Sequence, residues 1–446
     1  MDRIWRLISR PQAYEPIEHP TGLDDDEHVS ISPRPQHELP FSRYEYAVFF
    51  ILGVSMLWAW NMFLAAAPYF YLRFRSDKWT ATHFQPSILT VSTITNLGST
   101  FILAKLQKGA SYSRRVTLSL LINIVIFSLL ALSTVFVKDV DVKTYFSFLM
   151  FMVFGASLAT GINQNGVFAY VSGFGREEYT QAIMAGQGVA GVLPCVVQII
   201  SALAVPKREG QNMPQASSKS AFMYFTTATA IAAISLVAFL SLVRRRSVLS
   251  LQLPEEQLDS ISSGYAHKTV SLWVLFKKLR YLASALFLCF AITMVYAVFT
   301  AEIESVHQDP NHSRLFSREV FIPVAFLFWN AGDLIGRMSV IIPRLSLAHR
   351  PWVLFVISVT RLGFIPLYLL CNIGGRGAIV QSDFFYLFVV QLLFGVSNGY
   401  LGSSCMMGAS HWVSVDEREA AGGFMSMVLV GGLAVGSLMS FLVANI

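Results

Sequence analysis

From about residue 46 onward the chain alternates long apolar runs with short polar turns. Crossing the hydrocarbon core of a bilayer takes about 20 mostly apolar residues in a helix. Segments of that kind lie near 46–71, 86–106, 116–137, 146–170, 181–205, 221–243, 281–300, 320–342, 352–371, 384–407 and 420–444, which makes eleven. The longest polar interruption, 244–280, contains Arg244-Arg245-Arg246 and divides the runs into six and five. The pattern predicts an all-α integral membrane protein with eleven transmembrane helices. Its parts are a polar, disordered tail over 1–45, a six-helix bundle over 46–243, a linking loop over 244–280 and a five-helix bundle over 281–446.

Composition sharpens this picture. Hydrophobic residues make up 54% of the chain and charged residues 13%, with a mean hydropathy of +0.54; soluble domains carry about 25% charged residues. The net charge of +6 is spread over many loops. A nucleic-acid surface would gather it on one face, so no nucleic-acid partner is expected. The first 45 residues contain no apolar core of a signal peptide. The tail and the loops on its side hold 20 of the 33 Lys and Arg, the opposite loops hold 11, and Arg337 and Arg361 lie within spans. By the positive-inside rule the N-terminus is then cytoplasmic. The Asn-x-Ser sequon Asn311-His312-Ser313 falls in a loop that this topology places outside or in a lumen, which makes Asn311 a glycosylation candidate.

Charges inside the spans are the candidate chemistry. Asp333 and Arg337 stand one helical turn apart within an apolar stretch over 321–342. A charge at the centre of a spanning helix costs roughly 2.5–3.5 kcal/mol, so such a pair persists by pairing, by facing a wet cavity, or by both. The four cysteines, Cys195, Cys289, Cys371 and Cys405, fall in or at the ends of apolar segments without metal-ligand spacing. They are expected as small buried hydrophobes, with no disulfide and no metal. Two motifs mislead. Gly186-Gln-Gly-Val-Ala-Gly191 fits a dinucleotide fingerprint but follows no strand, and Gly395-Val-Ser-Asn-Gly399 fits a nucleophile elbow without an intramembrane histidine partner. Small residues at Gly332/Gly336, Gly395/Gly399 and Gly432/Gly436 instead suit close helix packing. With no Walker or H-E-x-x-H sequence, neither an enzyme nor a cofactor is expected.

Several short motifs occur in a telling order: Trp60-Asn61, Gln164, Ala185-Gly-Gln-Gly-Val-Ala-Gly191, Asn330 with Asp333, Gly336 and Arg337, Arg361-Leu-Gly-Phe-Ile-Pro366, Ser397-Asn-Gly-Tyr-Leu401 and Glu419-Ala-Ala-Gly422. On these the chain resembles the equilibrative nucleoside transporter family, and its tail and short last loop are most similar to fungal members. One departure is Ala59, where the family often has proline before the tryptophan.

The resemblance implies a six-plus-five version of the major-facilitator architecture, nucleoside substrates of the adenosine, uridine and inosine class, and a monomer in a lipid bilayer. It implies that Asp333 and Arg337 hold the ribose hydroxyls and that Gln164 meets the base. The chemistry suits these roles: a carboxylate accepts and a guanidinium donates to a vicinal diol, and a carboxamide does both. The bland alternatives are an ion pair that locks a helix or gate, and interhelical hydrogen bonding by Gln164.

Trp60, with Leu57 and Leu64 near its face, is a candidate wall beside the base, and Asn61 a tie between helices. Asn330 is a candidate to orient Asp333, and Phe326 a candidate gate. Arg361 is expected to pair with Glu417 or Glu419 in a structural or gating role. Facilitated diffusion is favoured because Asp333 is the only mid-span acid and has an arginine neighbour. Glu302 and Glu304 keep proton coupling as an alternative, and a major-facilitator carrier of another solute is a second. Tyr14-Glu-Pro-Ile17 fits a tyrosine-based sorting signal. With the fungal resemblance it points to the vacuole or another endomembrane, with the plasma membrane as alternative.

Overall fold

The computed structural model describes residues 41–137, 139–204, 217–251, 269–307 and 313–443. The tail with its sorting motif, the middle of the interbundle segment and Asn311 lie outside the described residues. Eleven helices among the described residues are long and apolar enough to span a membrane. In chain order they are α1 (Arg43–Phe74), α2 (Lys78–Lys105), α3 (Tyr112–Phe136), α4 (Val142–Ser172), α5 (Glu177–Ile200), α6 (Ser218–Val248), α7 (Leu272–Glu302), α8 (Arg318–Ser339), α9 (Pro351–Leu369), α10 (Phe385–Trp412) and α11 (Val415–Ser440). Helix continues beyond α6 to Leu251 and α7 begins at Leu272, so helical structure takes up part of the polar stretch assigned to the loop.

Local chemistry sets several boundaries. Ser42 caps α1 by accepting from the Glu45 N–H, and Asp77 caps α2 by accepting from Thr80. Helix α1 runs unbroken through Ala59 and bends only at Ala66, just before Pro68 at the start of its final turns. Helix α9 is interrupted at Arg361–Gly363. Pro366 has no N–H and its ring crowds the Leu362 carbonyl, which loosens this turn. The Tyr296 hydroxyl lies within hydrogen-bonding distance of the Arg361 carbonyl at 3.2 Å and the Leu362 carbonyl at 3.4 Å. Residues Phe385–Leu392 in α10 are wound as a π-helix.

Within the first six helices α1 packs on α5, α2 on α4, and α3 on α4 and α6; within the last five α8 packs on α10 and α7 on α11. The α8–α10 contact is the tightest kind. A Cβ at Gly332 or Gly336 would strike the carbonyls of Leu392 or Val396, and one at Gly395 or Gly399 would strike those of Trp329 or Asp333. The two G-x-x-x-G repeats therefore mesh backbone to backbone.

We call the membrane face carrying Arg43 the near face and its opposite the far face. In the near half, one continuous core draws on both bundles, including Phe49, Leu120 and Phe168 from the first and Leu279, Leu401 and Phe424 from the second. In the far half the packing splits. Phe63, Phe70, Phe127 and Phe225 belong to a core built from α1–α4 and α6, whereas Tyr296, Trp329, Tyr368 and Phe394 belong to one built from α7–α10.

Candidate functional site

A cavity of about 310 Å³ lies in the far half, bordered by α1–α4 on one side and by Met294 of α7 and Val430, Leu433, Ala434 and Ser437 of α11 on the other. That volume is at the lower end of ligand pockets, which span about 300–1,000 Å³. Leu57 and Trp60 reach it from α1, and Gln164 reaches it from α4. The Gln164 Oε1 has no hydrogen-bond partner and is buried. An amide oxygen in this condition is costly unless something supplies a donor.

Leu64 is not part of this wall. It follows Trp60 by four residues, which rotates it by about 40° around the helix, and it is 54% exposed on the outside of the bundle. Asn61 donates to the Ala190 carbonyl at 2.8 Å, joining α1 to α5.

Asp333 and Arg337 are each only 6% exposed and do not border the cavity. They are bonded to one another, Arg337 Nε to Asp333 Oδ2, at 2.5 Å. Arg337 Nη1 crosses to the other bundle, donating to the Met184 carbonyl at 3.0 Å and to Gln187 Oε1 at 3.1 Å, both on α5. Gln187 in turn lies 3.8 Å from the sulfur of Met56, and Met56 does line the cavity. Two side chains, Gln187 and then Met56, thus stand between the ion pair and the open space. Gly188 makes the approach possible, because a Cβ there would come within 3.1 Å of the Arg337 Cδ.

Asp333 is oriented by Asn398, whose Nδ2 donates to Oδ1 at 2.7 Å. Asn330, the expected partner, instead turns toward the Phe326 carbonyl at 2.8 Å and the Cys195 sulfur at 3.5 Å. The reason is position: Asn330 faces α5, with its amide against Gly191, while Asn398 comes from the meshed helix α10. Phe326 stacks on Trp329 at 5.9 Å and does not line the cavity.

Arg361 does not pair with Glu417 or Glu419. It is 1% exposed and projects from the loosened turn of α9 into the second bundle. There it donates to the Cys289 carbonyl at 2.8 Å, Ser397 Oγ at 3.1 Å and Thr293 Oγ1 at 3.2 Å, and its guanidinium lies over the Phe394 ring at 4.3 Å. Thr293 Oγ1 is 2.7 Å from Asn398 Oδ1, so hydrogen bonds run without a gap from Arg337 through Asp333, Asn398 and Thr293 to Arg361. Glu417 is held at the near face by Lys278, at 2.6 Å. Glu419 lies against Gly173, between α4 and α5. Sequence reading missed Asn398 and Gln187 as members of this network. Both stand inside quoted motifs, but their amides read there as packing.

The near face is closed by contacts between the bundles. Glu177 of α5 pairs with His411 of α10, Arg418 and Glu419 of α11 cover Gly175 and Gly173, and Gln107 Oε1 accepts from the Val270 N–H at 2.8 Å. Among the described residues there is no cluster of His, Cys, Asp and Glu able to hold a metal ion, and the four cysteines are buried and unbridged.

The nucleoside transporter family model matches residues 149–262 and 255–445. The chain belongs to the nucleoside transporter family. Among its relatives, the nucleoside transporter FUN26 of Saccharomyces cerevisiae is 31% identical over 92% of this chain and 87% of the relative. Mouse equilibrative nucleoside transporter 1 is 29% identical over 90% of this chain and 98% of the relative. Major-facilitator transporters share the fold of this family member. The proton:xylose symporter XylE aligns with a TM-score of 0.61 at 12% identity over 90% of each chain. The E. coli fucose:proton symporter FucP aligns with a TM-score of 0.55 at 13% identity, covering 90% of this chain and 92% of the other.

Proposed function

We propose that this chain carries nucleosides across a membrane, down their gradient, by rocking its two bundles about a central site. The observation that carries this reading is the division of the molecule: one core welded across both bundles in the near half, and in the far half two separate cores, with a cavity between the first bundle and α7 and α11. A rocking carrier caught on one side of its cycle has this form.

In this reading Gln164, Trp60 and Leu57 receive the base, a flat apolar face beside one unpartnered amide. Asp333 and Arg337 receive the ribose hydroxyls once α5 and α8 part, because that movement frees the guanidinium from Met184 and Gln187. In the state described here the same pair locks the closed half. Asn330 and Asn61 stabilise the α5 interface, and Phe326 takes no direct part.

Uncoupled transport is supported by the charge balance of the second bundle. A proton on Asp333 would leave both Arg337 and Arg361 without a carboxylate in their network. Glu304 and Glu302, the other candidates, share Arg318 at 2.9 and 3.6 Å. The near face is the cytoplasmic one by the distribution of Lys and Arg. The tyrosine motif in the tail supports an endomembrane, the vacuole first.

The test is uridine uptake by the purified protein in liposomes. Saturable uptake that equilibrates without exceeding the outside concentration is expected. Accumulation that requires an imposed proton gradient would overturn the uncoupled reading, and fluorescence of a tagged chain checks the membrane.

A further inference from the structure

The cavity has a second amide, on a different helix from Gln164. Asn96 of α2 borders it, and like Gln164 its side chain forms no hydrogen bond among the described residues. Its backbone is well fixed: the carbonyl accepts from Ser99 Oγ at 3.0 Å and from Thr100 Oγ1 at 2.8 Å. Only the carboxamide is without a partner, and its oxygen is buried. Polar groups in that condition are rare in folded proteins, and each one asks for an explanation.

The position of this amide depends on one glycine. A Cβ at Gly161 of α4 would meet Asn96 Oδ1 at 3.1 Å and would collide with Ser99 Oγ. Absence of a side chain there lets α2 lie against α4. Gly161 precedes Gln164 by three residues, so Asn96 rests over the turn of α4 that carries Gln164. The wall across the cavity, made of Met294, Val430, Leu433 and Ala434, offers no side-chain amide. The two free carboxamides therefore stand on the same wall, one turn of helix apart.

We propose that Asn96 is a second base-reading residue and that, with Gln164, it selects a heterocycle whose edge carries a donor and an acceptor side by side. The proposal rests on the nucleoside-carrier reading above and names what its site discriminates. A carboxamide matches an adjacent N–H and carbonyl, as in uracil or hypoxanthine, and equally the amino group and ring nitrogen of adenine. Because neither amide is tied to the protein, each can turn about its last torsion and present either end. Purines and pyrimidines are then read by the same two groups, while a ring without a polar edge leaves both amides unsatisfied.

The experiment compares uridine with ribofuranosylbenzene, which keeps the sugar and lacks any hydrogen-bonding edge on the ring. Uptake is measured in liposomes for the unaltered protein, for Asn96→Leu, and for Asn96→Ser as a smaller replacement that keeps the helix contact relaxed. The unaltered protein should take up uridine at least about tenfold more efficiently than the benzene riboside. Asn96→Leu should lower uridine efficiency about tenfold and change that of the benzene riboside less than about twofold. Asn96→Ser should shift the ratio in the same direction. An equal fall for both substrates would assign Asn96 to helix packing alone, and an unchanged uridine efficiency, or a ratio near one in the unaltered protein, would also overturn the inference. Failure of the unaltered protein to carry either compound would remove the carrier reading itself, an outcome distinct from all of these.

Discussion

The near and far halves of this molecule are built from the same helices yet hold together in different ways. In the near half, side chains from both bundles share one core, and Arg337 of α8 donates directly to α5. In the far half each bundle keeps its own core, and the space between them is lined on one side by unpartnered amides. Apolar contact between helices gives little net gain over contact with lipid, so close packing and polar bonds must hold the near half together. The lesson is that closure is carried by a small set of polar contacts that cross the bundle interface, and these are the contacts a transport cycle must break.

The most severe way to break the comparison is to make near-face closure permanent. Gly173→Cys with Glu419→Cys should cross-link on oxidation and arrest uptake almost completely, with recovery on reduction; continued transport by the oxidised protein would show that this face need not open. Next in size is Arg337→Ala, which leaves Asp333 buried without its cation. Loss of one partner of a buried pair costs about 3–5 kcal/mol of stability, so the melting temperature should drop clearly, and nucleoside uptake should be largely lost. The double replacement of Asp333 and Arg337 by Ala should be more stable than Arg337→Ala alone, read as the melting temperature in detergent. If free nucleobases are still carried by these variants, the sugar-contact role gains over a purely mechanical one.

Smaller effects sharpen the far half. Gln164→Ala should change the relative uptake of adenosine, uridine and inosine by up to about tenfold, and unchanged ratios would count against a base contact. Glu177→Gln, half-buried at the rim of the near face, should alter uptake by only about twofold and less in high salt. A large effect there would move the weight of closure from the buried network to the surface.

Much of the architecture was legible in the pattern of apolar runs, because the bilayer demands length and hydrophobicity from every span. Helix ends were not: Leu251 and Leu272 lie in helices that run past the lipid into charged sequence, where hydropathy carries no signal. Of the site, Trp60, Leu57 and Gln164 could be placed near one another from their motifs, and the structure brings all three to one cavity. Partnerships were harder. Charge alone matches Arg361 to acids, but its depth in the bundle places it among carbonyls, hydroxyls and the Phe394 ring. Spacing along one helix matches Asn330 to Asp333, while the amide that donates to it, Asn398, comes from another helix. Distances between helices are not written in sequence spacing, and both partnerships depend on them.

The interlocked glycines of α8 and α10 carry a mechanical consequence. Teeth cut this deep cannot slip by a fraction of a turn without driving backbone into backbone, so Gly332, Gly336, Gly395 and Gly399 make the two helices a single rigid bar. Asp333 and Asn398 are mounted on opposite rails of that bar and stay in register throughout its swing. The carboxylate and the amide that orients it thus move as one piece, and any rearrangement of their surroundings comes from α5 and not from within the bar.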